Sequence, residues 1–164
     1  MSGQEVLFGI VALIGSLAAL RMVTSSNVIH AALYLVVTLA AVGAAYILLA
    51  AEFIAWVQIL IYVGAIVVLL LFALMLTKAP IGRDTLDNQQ RGLAAVVGIV
   101  ILVGLTILLD GSFGGKRIPK GVTRASDIGT SLFHSYVIPF EVVSVLLLAA
   151  LVGAVVLARK EEAE

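Results

Sequence analysis

Five uninterrupted apolar runs, near residues 5–21, 28–50, 53–77, 92–109 and 136–158, leave little chain for anything else. Each approaches the roughly 20 apolar residues that a helix needs to cross a bilayer. Lipid offers no hydrogen bonds to the backbone, so only helices and closed barrels span it. Barrel strands alternate apolar and polar side chains, and these runs do not. The sequence therefore predicts an all-α membrane protein, with residues 1–164 as one integral-membrane domain of five transmembrane helices. Composition supports this, at 62% hydrophobic and 12% charged, where soluble domains are roughly half apolar and a quarter charged. The first run reads as a span and not as a secretory signal. No basic residue precedes it, and Glu5 stands where the positive segment of a signal would be.

The connections are residues 24–27, the short Ala51–Glu52 turn, residues 78–91, and a longer segment from Asp110 to about Ser135. The last holds five glycines, Pro119, four basic residues and two acids, and reads as an exposed loop. Placing the N-terminus outside puts six basic residues on the cytoplasmic side: Arg21, Lys78, Arg83, Arg91, Arg159 and Lys160. Four fall outside: Lys116, Arg117, Lys120 and Arg124. The positive-inside rule then favours an outer N-terminus, a cytoplasmic C-terminus and an extracytoplasmic 110–135 loop. Small residues recur four apart at Gly15 and Ala19, Ala40 and Ala44, Ala41 and Ala45, Ala94 and Gly98, and Ala149 and Gly153. Such faces let helix backbones approach closely in lipid.

Several chemistries are excluded early. The chain has no cysteine, so it forms no disulfide and ligates no iron–sulfur cluster through thiolates. Its formal net charge is zero, which is no footprint for nucleic acid. His30 and His134 are not a spaced ligand pair, and no phosphate loop, nucleophile elbow or metal-binding helix motif occurs. No carboxylate, lysine or histidine falls at the middle of a span. This chain cannot relay a proton across the membrane through titratable groups of its own. Glu52 and Asp110 sit at span ends, within reach of headgroups. Glu141 lies about five residues into the fifth span, after Tyr136 and Pro139, with Ser144 on its face. Two readings fit it: an interfacial acid favoured by a helix N-terminus, or a partly buried carboxylate that bonds a neighbouring subunit or borders a water path.

The third span carries the other polar residues. Gln58 and Tyr62 are four apart and share a face of a regular helix. Gly64 falls about 18 Å along the helix from Glu52, near mid-bilayer. A tyrosine there needs a hydrogen-bond partner, from a neighbouring helix or water. Gly64 fits two readings: a close-packing contact, or, as a glycine two residues after a buried tyrosine, the site of a π-bulge, an irregularity common at functional sites.

These residues resemble a known family. Asn27 to Tyr34 is similar to the start of the second helix of subunit J of the proton-pumping NADH–quinone oxidoreductase, respiratory complex I. Gln58 to Ile66 is similar to the signature of that subunit's third helix. Ile128 to Phe133, Tyr136, Phe140, Glu141, Ser144 and Leu146 to Ala149 are similar to its fifth. The resemblance implies a bacterial inner-membrane subunit beside subunits A, H and K and near N. It implies no cofactor on this chain, with FMN and iron–sulfur clusters in partner subunits. It further implies that Tyr62, Val63 and Gly64 mark a third helix that switches between regular and bulged forms, coupling quinone reduction to proton pumping. Some relatives have an acid at Gln58 and some a proline at Val28, so no proton role is carried to Gln58. A subunit of a multi-subunit cation/proton antiporter is the alternative reading, and co-purification with flavin- and iron–sulfur-containing subunits separates the two. A small autonomous transporter is disfavoured by the missing midplane charges and by the lack of an internal repeat.

Overall fold

The computed structural model describes residues 3–77, 90–114 and 124–159. Six helices follow: α1 (Gly3–Thr24), α2 (Val28–Leu48), α3 (Glu52–Leu76), α4 (Arg91–Phe113), α5 (Ala125–His134) and α6 (Val137–Ala158). Five are long and apolar enough to span a bilayer, and α5 is not among them. The expected runs and the observed spans agree within a few residues. The described residues form two compact units, within Met1–Val122 and Thr123–Glu164. Lys78, Arg83, Lys116, Arg117, Lys120 and Lys160, used in the topology count, lie outside the described residues.

Lipid shows in how the spans treat their hydroxyls. Thr24, Thr38, Thr106 and Ser144 each donate to the carbonyl four residues back, at 2.7, 2.9, 2.8 and 2.8 Å. With no water at hand, a hydroxyl on a membrane helix finds its nearest backbone acceptor. No buried side-chain nitrogen or oxygen lacks a partner among the described residues. Large apolar side chains cover the outside, and α4 and α6 are exposed along nearly their whole described lengths. A water-soluble monomer rarely carries apolar patches of this size, so lipid or other subunits cover them.

In the first unit, α1 packs along α2, and α2 packs along α3. The first contact is made by small residues, as expected for Gly15 and Ala41. A Cβ on Gly15 would lie 2.9 Å from the Ala41 Cβ. The two helices run antiparallel, and the Gln4 side chain at the start of α1 donates to the Leu48 carbonyl at the end of α2. Asn27 caps the other end of α2, its Oδ1 accepting from Ile29 and His30 N–H at 2.9 and 3.3 Å.

The turn between α2 and α3 is a Schellman motif. The Ala51 N–H donates to the Tyr46 carbonyl at 2.9 Å and the Ala50 N–H to the Ile47 carbonyl at 3.0 Å. The residue in the left-handed position is Ala50, with φ 59°, where glycine is usual. That conformation costs a residue with a Cβ about 1–2 kcal/mol, while glycine costs about 0.4–1 kcal/mol in unfolded-state freedom. Ala50→Gly is therefore expected to stabilise the chain by about 0.5–1 kcal/mol, read as a later midpoint in denaturant titration of the purified protein. An unchanged or earlier midpoint would count against a strained Ala50.

The sequence expectation is corrected at residues 110–135. Instead of one exposed loop, α4 continues to Phe113 and α5 occupies Ala125–His134. The Asp127 carboxylate accepts from the Arg124 N–H at 3.2 Å, half of a capping box at a helix end that favours negative charge. The Phe133 ring meets that of Phe140 edge-on, with centroids 5.0 Å apart, tying α5 to α6. Glycine, serine and threonine had hidden this helix from a reading by composition.

Candidate functional site

Within α3, residues Gln58–Ile66 form a nine-residue π-helix, flanked by regular turns at Glu52–Val57 and Val67–Leu76. The Val67 N–H reaches back five residues to the Tyr62 carbonyl, where a regular helix would reach back four. Tyr62, Val63 and Gly64 all lie within this segment, which extends beyond them on both sides.

The pattern of buried residues explains why the helix widens. Ala55, Ile59, Val63, Val67 and Leu71 are all buried or half-buried, each four residues after the last. On a regular helix, sixteen residues at that spacing drift about 160° around the axis. Such a helix could not hold both ends against α2. The π turns take up the drift, and the ends close tightly, with Ala55 and Val67 each 1% exposed.

Gln58 opens the π segment and is the single buried polar side chain among the described residues, 8% exposed. Its Nε2 lies 3.5 Å from the Leu39 carbonyl of α2, a long hydrogen bond. Gly43, one turn further along α2, makes the room. A Cβ there would lie 3.0 Å from Ile59 Cγ1 and 3.6 Å from Gln58 Cγ. Gly43 is a site residue that the sequence reading missed, since it broke the four-residue spacing of the neighbouring alanines.

Other expected site residues fall elsewhere. Tyr62 is 46% exposed, so it does not share the burial of Gln58. Its hydroxyl has no hydrogen-bond partner among the described residues. Gly64 is exposed as well. A Cβ on it would meet only the Ile59 carbonyl of its own helix, at 3.4 Å, so among the described residues of its unit no other helix presses on Gly64. Glu141 is the fifth residue of α6 and is exposed. Its own unit does not bury this acid. Ser144, on the same face, is satisfied by the Phe140 carbonyl. Pro139 is the third residue of α6, within the first turn, where proline does not break a helix.

The family described as NADH-ubiquinone/plastoquinone oxidoreductase chain 6 matches residues 18–157. The chain is 37% identical to F(420)H(2) dehydrogenase subunit J of Methanosarcina mazei, over 96% of this chain and 92% of that one. It is 34% identical to NADH-quinone oxidoreductase subunit J of Pseudomonas aeruginosa, over 96% and 98%. It is 37% identical to NAD(P)H-quinone oxidoreductase chain 6 of a Nostoc species, over 96% and 80%. A match over most of a chain that also folds as five apolar spans settles the assignment: this is a multi-pass membrane protein belonging to the NADH-ubiquinone/plastoquinone oxidoreductase chain 6 family, the subunit J family of respiratory complex I.

Proposed function

We propose that this chain is a non-catalytic membrane-arm subunit of a proton-translocating quinone oxidoreductase, and that its third span couples quinone reduction to proton movement by changing between π and regular forms. The observation that carries the reading is the π segment Gln58–Ile66 in the third span. Straightening it at constant length would turn the Val67–Leu76 half by about 100° and lift Val67 from α2. Lipid is as apolar as valine, so that exchange costs packing and little hydrophobic burial. The two forms can then lie within a few kcal/mol, as a switch requires. Tyr62, half exposed and with no partner among the described residues, faces whatever the switch opens or closes. Deleting Gly64 in the assembled complex tests the switch. Loss of coupled pumping with artificial-acceptor reduction intact is expected, and unchanged pumping would remove it.

The carboxylates, lysines and histidines of the proton path belong to other chains in this reading, because no span here carries one at its middle. FMN and iron–sulfur clusters likewise sit in partner subunits and none on this chain. Relatives named for F(420)H(2), NADH and NAD(P)H are similarly close, so the donor is set elsewhere in the complex. The neighbours are subunits A, H and K, with N nearby, in a bacterial plasma membrane like that of the Pseudomonas relative. The N-terminus is outside and the C-terminus cytoplasmic. Purification through a tag on this chain is expected to bring down flavin- and iron–sulfur-containing subunits, and reporter fusions at residues 78–91 to report the cytoplasm. A stable homo-oligomer with transport activity, or a cytoplasmic 110–135 segment, would overturn the respective halves.

Glu141, exposed on its own chain, bonds a neighbouring subunit. Glu141→Gln is expected to weaken assembly several-fold on native gels, since a charged partner left unpaired in an interface costs about 1–3 kcal/mol. Normal assembly would make Glu141 an interfacial acid and nothing more.

A further inference from the structure

We infer that α5 is an interfacial helix, lying in the boundary between headgroups and acyl chains and setting the depth at which α6 enters the bilayer. Its residues divide cleanly around the helix axis. Ala125, Ile128, Gly129, Leu132 and Phe133 fall on one arc of about 140°, at about 100° per residue. Ser126, Asp127, Thr130, Ser131 and His134 fill the other side. None of the membrane spans shows such a division, because lipid or protein surrounds each of them all round. A helix with one apolar and one polar face suits the plane of an interface.

The apolar arc is only partly used within the chain. Ile128 and Leu132 are half-buried, and Phe133 meets Phe140 of α6. Yet Phe133 remains 65% exposed, and Tyr136 beside it is also exposed. Ser135 and Tyr136 are all that separates α5 from α6, and both their N–H groups donate to the Ser131 carbonyl, at 2.9 and 3.0 Å. Through the Phe133–Phe140 contact the apolar arc adjoins the exposed apolar surface at the start of α6, where Ile138 and Phe140 lie. Lipid that covers the start of α6 also reaches Phe133 and Tyr136. Aromatic side chains collect at this depth, where one edge can be wet and the body apolar. Length gives a separate reason. Ten residues are fewer than the about 12–15 at which an isolated helix becomes even marginal in water. Covering the apolar arc supplies the missing stability.

The inference needs only that the chain spans a membrane, and it stands or falls apart from the coupling role. The chain has no cysteine, so single cysteines can be placed cleanly. Ala125→Cys and Phe133→Cys lie on the apolar arc, and Thr130→Cys and His134→Cys on the polar one. Each is labelled with a nitroxide in the full chain in phosphatidylcholine vesicles, and its relaxation by oxygen is compared with that by a water-soluble nickel chelate. The expected oxygen-to-nickel ratio is several-fold higher at Ala125 and Phe133 than at Thr130 and His134. Equal nickel access at all four sites would mean a helix in water, and would overturn the inference. Shielding of Ala125 and Phe133 from both reagents would mean that a second copy covers the face, and would overturn it too. Because Phe133→Cys removes the ring contact with Phe140, the Ala125 and Thr130 pair decides the outcome alone if that variant loosens α5.

Discussion

Deleting Gly64 alone leaves the chain folded and the complex assembled, yet lowers coupled proton pumping by tenfold or more, on the order of 1.4 kcal/mol or greater at the coupling step. The expectation comes from helix geometry. Twelve residues separate Ala55 from Val67, the two most buried positions of the third span. On a regular helix they would be about 120° apart. With one residue removed the separation is eleven, and a straight helix brings them within about 20°. The shortened span therefore keeps both contacts with α2 and has no need of the π turns. Gly64 is the residue to remove, since it is exposed and no other helix of its unit touches it among the described residues. What the deletion abolishes is the choice between forms: a π segment in the shortened helix would now turn Val67 away. If coupling needs both forms, quinone reduction linked to pumping falls while reduction of an artificial acceptor, which bypasses the membrane arm, persists. Full pumping by an assembled deletion variant would show that the π segment serves packing only.

Gly15→Ala is the second variant with a large expected effect. Its Cβ would lie 2.9 Å from the Ala41 Cβ, well inside the about 3.5–4.0 Å at which carbon atoms attract. Neither atom can rotate away, because a Cβ is fixed to its backbone. The helices must separate by up to about an ångström, and gaps of that size forfeit a quarter to a half of the contact energy along the seam. Overpacking of this kind costs about 1–3 kcal/mol, and lipid returns none of it as hydrophobic burial. The variant should unfold earlier in denaturant titration by that amount. Ala41→Gly on the same chain should recover most of the loss, because it removes the opposing atom. A double variant no better than the single would place the contact elsewhere.

The five spans were legible because lipid is an unforgiving solvent: a run without charges has one stable form there, and its ends follow from where polar residues begin. Gly15 and Ala41 were legible for a related reason, since small residues at helical spacing mark close approach. The failures have different causes. Gln58 and Tyr62 were assigned one face because four residues make nearly a turn, but burial depends on what lies opposite, and only Gln58 is buried. The four-residue march from Ala55 to Leu71 was open to inspection, and its drift on a regular helix is the signal that would have given the full extent of the π turns. Ala50 gave no sign at all, because its left-handed conformation is imposed by the turn and not chosen by the residue. In α5, Ile128, Leu132 and Phe133 carry the helical period, which glycine and hydroxyl residues obscured.

The turn at Ala50 also decides where motion in the third span can go. Three residues, Leu49 to Ala51, join α2 to α3, and the Schellman bonds to Tyr46 and Ile47 clamp the joint. That end of α3 behaves as an axle fixed in its bearing. Under the proposed switch, a torsion generated between Gln58 and Ile66 would find no slack on the Glu52 side, so the whole of it would be delivered to the other, where Val67–Leu76 would swing as a crank. A partner seated on that far half would feel the full rotation, and one at the Glu52 end almost none.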